Sequence, residues 1–489
     1  MNPNVNRLIG RCSLAPTLFT AAISVTVLGD VVTDWNTQLQ QAIRETGGPP
    51  GPISREAAIV HVAMFDAANS IDRLYEPYLN FVPCPPGTSM EAAIATAAHQ
   101  AMSELYASPS LHRQFDALYA SQLAALRDGR AKDAGIALGK ACAGACAAAR
   151  ANDGADDFVT YVPGSIPGDW IPTPPNFSAP ASPHWPNVTP WCMTSGDQFR
   201  PTSGPYGYNT AAELLASPQY AADYEDVRTS GALDSVTRTA DQTQLAIFWA
   251  NDKDGTFKPP GQLFHITQVI AQGQGNSLLA NARLFALVAL GMADAGIAAW
   301  DCKYSTDIDL WRPITAIRAG DADGNPATVA DLGWEGLSYS PMLTIYTPPF
   351  PAWISGHATF GASHAAVVRH FYGTDAISFT ATSDDTPGYY RSFTSLREAA
   401  LENARSRIYL GVHFQMDADG GNQVGTAVGD YVSTHFLRRL GDLDGDGIVA
   451  AVDLGLLLGD FGATSGASDL NRDRIVDAAD LAILLGAWG

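Results

Sequence analysis

The sequence predicts an all-α protein: a large helical-bundle domain followed by a small acidic α-helical module. Three observations carry this reading. Alanine-rich segments repeat apolar residues every three to four positions. Runs of alternating β-branched residues, the mark of half-buried strands, are scarce. Composition changes abruptly at the end: residues 441–489 hold nine Asp, no Glu and two Arg. A chain of 489 residues with 46% hydrophobic residues can bury a sizeable core, which excludes intrinsic disorder. A formal charge of −21 argues against nucleic acid or an anionic membrane as partner.

The first 29 residues read as an export signal. Arg7 and Arg11 give a positive start, residues 13–28 an apolar stretch too short to span a bilayer comfortably, and cleavage before Asp30 follows small residues. The mature protein is therefore expected to be secreted, periplasmic or at the cell surface. Segments 53–71, 91–107, 114–152, 277–303, 356–371 and 394–409 carry helical periodicity. The longest later apolar run, 278–300, contains Arg283 and Asp294 and reads as a core helix, so no membrane span is expected in the mature chain. Stretches 162–190 and 339–353 are rich in Pro and Gly but also in aromatics, and read as ordered loops over the core. Five cysteines remain after cleavage with no CxxC pair, against thiol-redox or zinc chemistry. One disulfide is compatible with export, though Cys142 and Cys146 read better as small buried residues. The units are 1–29 (signal), 30–438 (helical domain) and 441–489 (tail module).

The tail contains an internal repeat. GDLDGDGIVAAVDLGLLLGDFG aligns with SDLNRDRIVDAADLAILLGAWG. The first copy puts side-chain oxygens of Asp442, Asp444, Asp446 and Asp453 at loop positions 1, 3, 5 and 12; the second uses Asp469, Asn471, Asp473 and Asp480. Position 7 offers the carbonyls of Ile448 and Ile475, and Asp477 adds an oxygen at position 9. Hard oxygen donors at this spacing suit Ca²⁺, and Gly447 allows the sharp turn at position 6. Two tandem copies with Asp at position 12 resemble a type I dockerin module, which implies docking to a cohesin or another surface receptor. Arg474 stands where the second loop would have its turn glycine, so that site is expected to bind more weakly.

Three segments of the main domain collect groups suited to one tetrahedral oxyanion. WDCKYSTDIDLWRPITAIR brings Lys303 and Arg312, FPAWISGHATFG brings Ser355, Gly356 and His357, and SRIYLGVHFQMD brings Arg407, His413 and Asp417. Ser355 is a good N-cap, and Gly356 lets an anion approach the first free N–H groups of the following helix. Arg407 and His413 are six residues apart and would diverge on one continuous helix, but Gly411 predicts a break that lets both converge. Asp417, four residues after His413, is placed to orient the imidazole. His364 reads as packed, and Asp321–Asn325 as a polar turn.

This pattern resembles the three-part signature of vanadium-dependent haloperoxidases and of the acid phosphatases of the phosphatidic acid phosphatase superfamily. Asp294-Ala295-Gly296, the Phe-Trp-Ala-Asn-Asp of 248–252 and the Phe-Pro-Ala before Ser-Gly-His resemble the haloperoxidase branch. The resemblance implies that Lys303, Arg312, Ser355, Gly356 and Arg407 hold vanadate oxygens, that His413 ligates vanadium, and that His357 is the acid–base group. It implies Asp252 as the carboxylate paired with Arg407, and Trp300 and Phe350 as the halide pocket. Hydrogen peroxide and bromide or chloride would be the substrates. The alternative is a vanadate-free phosphatase, with His413 as nucleophile, Asp417 orienting it and His357 protonating the leaving group. Eight residues separate Lys303 from Arg312 where the family has six, so Lys303 reaches the site only if Asp307–Asp309 bulge out or the helix ends near Lys303.

Overall fold

The computed structural model describes residues 29–343 and 346–489. The proposed export signal lies outside the described residues except for Gly29. Helices run α1 (Val31–Thr46), α2 (Pro50–Asp72), α3 (Met90–Leu105), α4 (Pro109–Ala124), α5 (Arg130–Arg150), α6 (Ala211–Leu215), α7 (Pro218–Ser230), α8 (Ala240–Phe248), α9 (Lys258–Gln274), α10 (Leu278–Tyr304) and α11 (Pro313–Arg318). Then follow α12 (Gly356–Tyr372), the hairpin β1 (Phe379–Thr382) and β2 (Tyr390–Phe393), α13 (Leu396–Tyr409), α14 (Gln415–His435), α15 (Ala451–Gly459) and α16 (Ala478–Gly486).

One expectation needs correction. The 114–152 segment is two helices, α4 and α5, because Gly129 takes φ 139 between them. The disulfide that export would permit is not formed among the described residues: Cys84, Cys142, Cys146, Cys192 and Cys302 are all free.

Helix α10 is the axis of the bundle. It is the one helix among the described residues long and apolar enough to cross a membrane, yet its most apolar window is 94% buried in protein. Asp294, fully buried on it, accepts the N–H groups of Trp191, Cys192 and Met193 at 2.7–2.8 Å. Three charge-assisted bonds offset the desolvation of that carboxylate and moor the long loop to the core. Trp170 and Trp185 of this loop are buried, while Phe158, Val162, Ile166 and Phe177 are exposed, so the loop covers the core with only part of its aromatic content.

Helices α12 and α14 pack at backbone distance. A Cβ at Gly421, Gly425 or Gly429 would come within 2.7, 2.1 or 2.6 Å of α12 atoms. These glycines, four residues apart, form one smooth ridge that allows the approach. It brings the N-terminal ends of α12 and α14 side by side, and the Ser355 N–H donates to the Asp417 carbonyl at 2.9 Å.

The tail module has its own small core of Leu440, Val449, Leu457, Leu470, Val476 and Leu484, with Phe81 packed against it. Arg439 pairs with Tyr75 in an isolated bridge, and Arg472 donates to the Leu79 carbonyl.

Candidate active site

A cavity of about 340 Å³ opens between the bundle and its loops. Its lining includes Asp252, Trp300, Phe350, Gly356, His357, Arg407 and His413. Lys303, Arg312, Ser355 and Asp417 stand directly behind that wall.

Ser355 caps α12: its hydroxyl accepts the Ala358 N–H at 3.4 Å. A Cβ at Gly356 would make only ordinary contact with Trp300, 3.4 Å away, so packing does not demand glycine here, but the position faces the cavity. His357 follows in the first turn. Its Nε2 lies 3.2 Å from the Ala250 carbonyl, which can only accept, so Nε2 carries the proton and Nδ1 the lone pair. Burial and the Arg407 charge push this imidazole down to about 4, so it is neutral near pH 7.

Helix α13 ends at Tyr409, Gly411 turns at φ 80, and α14 begins at Gln415 rather than at His413. His413 sits in the turn between them, and Arg407 in the last turn of α13. The Asp417 carboxylate accepts from His413 Nδ1 at 2.9 Å and from the Phe414 N–H at 2.9 Å. Arg312 Nη1 donates to His413 Nε2 at 3.1 Å, which requires a lone pair on that nitrogen. Burial, then the nearby Arg312, Lys303 and Arg407 charges, hold His413 well below its ordinary value. Burial pushes the Asp417 carboxyl up to about 7 against the Phe414 hydrogen bond and the Lys303 and Arg312 charges. The result is a neutral imidazole whose Nε2 lone pair, here facing Arg312 Nη1, could serve as a ligand or nucleophile once that contact is exchanged.

Arg407 Nη2 pairs with Asp252 at 2.7 Å. Burial opposes the Asp252 charge, but Arg407 and His357 hold its carboxyl below the ordinary range. Lys303 lies one residue from the end of α10, and Pro313 opens α11 with Arg312 as its N-cap. The intervening 305–312 segment is not helical, so the eight-residue spacing sets no helix face. Lys303 Nζ donates to the carbonyls of Pro351 and Ala352 at 2.7 and 3.1 Å, which places it behind Phe350.

Three buried guanidinium nitrogens, Arg312 Nη2 and Arg407 Nε and Nη1, have no partner among the described residues. Leaving a buried charged donor unpaired costs several kcal/mol, of order 1–3 or more. A tetrahedral oxyanion such as vanadate would satisfy all three, and the donor set fits it: guanidinium N–H groups, a helix N-terminus and an imidazole lone pair.

Lys258 and Tyr346 are among the cavity-lining residues that sequence reading missed. Lys258 was findable, since it follows Asp252 by six residues at a Pro-Pro helix start, and its Nζ donates to the Asp252 carbonyl at 2.7 Å. Tyr346 has no local signal.

In the tail, carboxylate oxygens of Asp442, Asp444 and Asp453 lie within 4.8 Å of one another, an arrangement open to a metal ion. Asp446 Oδ1 accepts the Ile448 N–H, and Ile448 is exposed. In the second loop Asp469 accepts from Asp473 and Arg474, Asp480 from Asn471 and Asp477, and Asp473 from Ile475. Asp477 spends one oxygen capping α16.

Residues 283–442 match the family model described as the VCPO second helical-bundle domain. The vanadium chloroperoxidase of Curvularia inaequalis is 30% identical over 332 residues, 54% of this chain and 52% of that protein. The chain thus spans about half the length of that curated relative. The fold is shared with a bacterial vanadium-dependent iodoperoxidase: TM-score 0.68, 24% identity, 83% of this chain and 97% of the other. It is shared too with a holo-type bacterial vanadium-dependent chloroperoxidase: TM-score 0.61, 18% identity, 80% and 93%. The relative and the solved structures that this chain resembles are each described as vanadium peroxidases.

Proposed function

We propose that the helical domain is a vanadate-dependent haloperoxidase that oxidises bromide or chloride with hydrogen peroxide to a hypohalous-acid equivalent. The carrying observation is the set of buried, unpartnered Arg312 and Arg407 nitrogens beside the His413 lone pair. The names of the similar proteins, all vanadium-dependent peroxidases, favour the oxidative reading over hydrolysis. Bound vanadate would supply a Lewis-acidic centre that activates hydrogen peroxide toward halide.

In this reading His413 Nε2 would ligate the metal, left unprotonated because Asp417 accepts from the other ring nitrogen. Arg312, Arg407 and the α12 N-terminus would hold the oxygens, and Lys303, Ser355 and Gly356 would complete the cradle. Neutral His357 accepts a proton from incoming peroxide and returns it on release of product. Trp300 and Phe350 form an apolar wall for a weakly hydrated halide. The same cradle would also serve a phosphatase, with the His413 lone pair as nucleophile.

The tail is proposed as a dockerin-like module that binds Ca²⁺ through Asp442, Asp444, Asp446, Ile448 and Asp453, and through Asp469, Asn471, Asp473, Ile475, Asp477 and Asp480. A cohesin or surface receptor would be its partner. Export outside the cytoplasm is proposed from the N-terminal segment and suits a reactive product.

Bromination of a phenolic dye with orthovanadate, peroxide and bromide tests the enzymatic reading against aryl phosphate hydrolysis without vanadate. Halogenation that falls at least about a thousandfold in His413→Ala is expected. Phosphatase turnover without halogenation would reverse the assignment.

A further inference from the structure

Lys303 and Arg312 are fully buried, and among the described residues neither has a carboxylate at ion-pair distance. Arg407 differs, being paired with Asp252. Residues 350–352 hold Lys303 and Arg312, and Arg312 Nη1 also donates to the Val412 carbonyl at 2.8 Å and to His413 Nε2 at 3.1 Å. Arg312 Nε donates to the Phe350 carbonyl at 2.8 Å, and Lys303 to the next two carbonyls. Both cations also lie over one ring: Lys303 Nζ is 4.9 Å and Arg312 Cζ 4.8 Å from the Phe350 centroid. Trp300 packs against the same ring at 4.9 Å and is 5.9 Å from Lys303 Nζ.

We propose that Phe350 is a positioning residue of the oxyanion cradle, whose π face holds the Lys303 ammonium and the Arg312 guanidinium in place without neutralising them. This role is separate from halide contact, and it rests on the oxyanion reading of the cavity.

A carboxylate at this position would anchor both cations but cancel the charge that attracts the anion. An aromatic face attracts cations through its quadrupole and has no net charge, so the positive potential stays available to the ligand. Two like charges over one ring also repel each other, and an aliphatic side chain would leave only the carbonyls and, for Arg312, His413 Nε2 to oppose that repulsion. Burial pushes both cations down from their ordinary values, and Asp417, whose charge opposes that shift on each, would then be the competing partner. Any displacement toward it opens the cradle.

The test is equilibrium binding of orthovanadate, by calorimetry, to vanadate-free full-length protein with neither halide nor peroxide present. Phe350→Leu and Phe350→Met keep apolar volume and lose the ring; Phe350→Tyr keeps the ring. Both aliphatic variants are expected to bind at least about tenfold more weakly, and the tyrosine variant within about threefold of the parent. Far-ultraviolet circular dichroism checks that each variant is folded. Parent-like affinity in either folded aliphatic variant overturns the proposal, as does an equal loss in folded Phe350→Tyr. Parent protein that binds no vanadate overturns the oxyanion reading itself, a result distinguishable from failure of the variants alone.

Discussion

In the cavity, Arg312 meets His413 across 101 residues of chain and Arg407 meets Asp252 across 155. In the tail, the backbone bonds accepted by Asp442, Asp453, Asp469 and Asp480 span ten residues or fewer. The first site is cationic, buried and dependent on the whole bundle. The second is anionic, shallow and folded by its own loops. The first keeps donors unpaired inside protein, which only an over-determined scaffold sustains. The second satisfies its carboxylates locally and can share them with a cation at little structural cost.

If the contrast is right, Asp417→Asn does the most damage of the following changes, because it replaces the carboxylate that fixes the position and tautomer of His413 with a neutral amide able to donate as well as accept. A fall of about 10–100-fold in halogenation rate and vanadate affinity is expected. A loss below twofold would mean that the bundle alone orients the imidazole.

A milder perturbation is pH. Burial and Arg407 hold His357 down to about 4, so it accepts protons above that pH and is already protonated below it. The kcat/KM for peroxide is expected to drop about tenfold per pH unit below about 4. Full recovery on return to neutral pH separates this from unfolding. A profile flat to pH 3 contradicts the acid–base role.

The smallest effect on catalysis should come from calcium removal. Chelation is expected to lower tail stability while leaving the bromination rate within about twofold, since the loops stabilise their own module. Of the two loops, the first should load more tightly. Gly447 takes φ 89 at its turn, where Arg474 takes φ 74 in the second loop. A non-glycine residue in that region costs about 1 kcal/mol, roughly fivefold in affinity. Equal affinities in calorimetric titrations of Asp453→Ala and Asp480→Ala would contradict the ranking.

The same contrast explains how legible each region was. Helix periodicity placed α2, α3, α10, α12 and α13 within a few residues of their observed ends, and Ser355 caps α12 as its residue type suggests. The tail repeat was readable because its spacing is local. The break between α4 and α5 was obscured because alanine-rich periodicity continues across Asp128-Gly129. The cavity was readable only as segments. Nothing local states that α14 glycines bring His413 beside Ser355, that residues 305–312 leave the helix, or that Phe350 lies under two cations. These depend on packing between parts of the chain distant in sequence.

The most direct test of the cationic cavity is a calorimetric titration of vanadate-free protein with orthovanadate, repeated with excess phosphate and with Arg407→Ala. One vanadate per chain is expected, displaced by phosphate and weakened at least about tenfold by the substitution. Absence of saturable binding, or binding indifferent to both phosphate and Arg407, would contradict a single oxyanion site in this cavity.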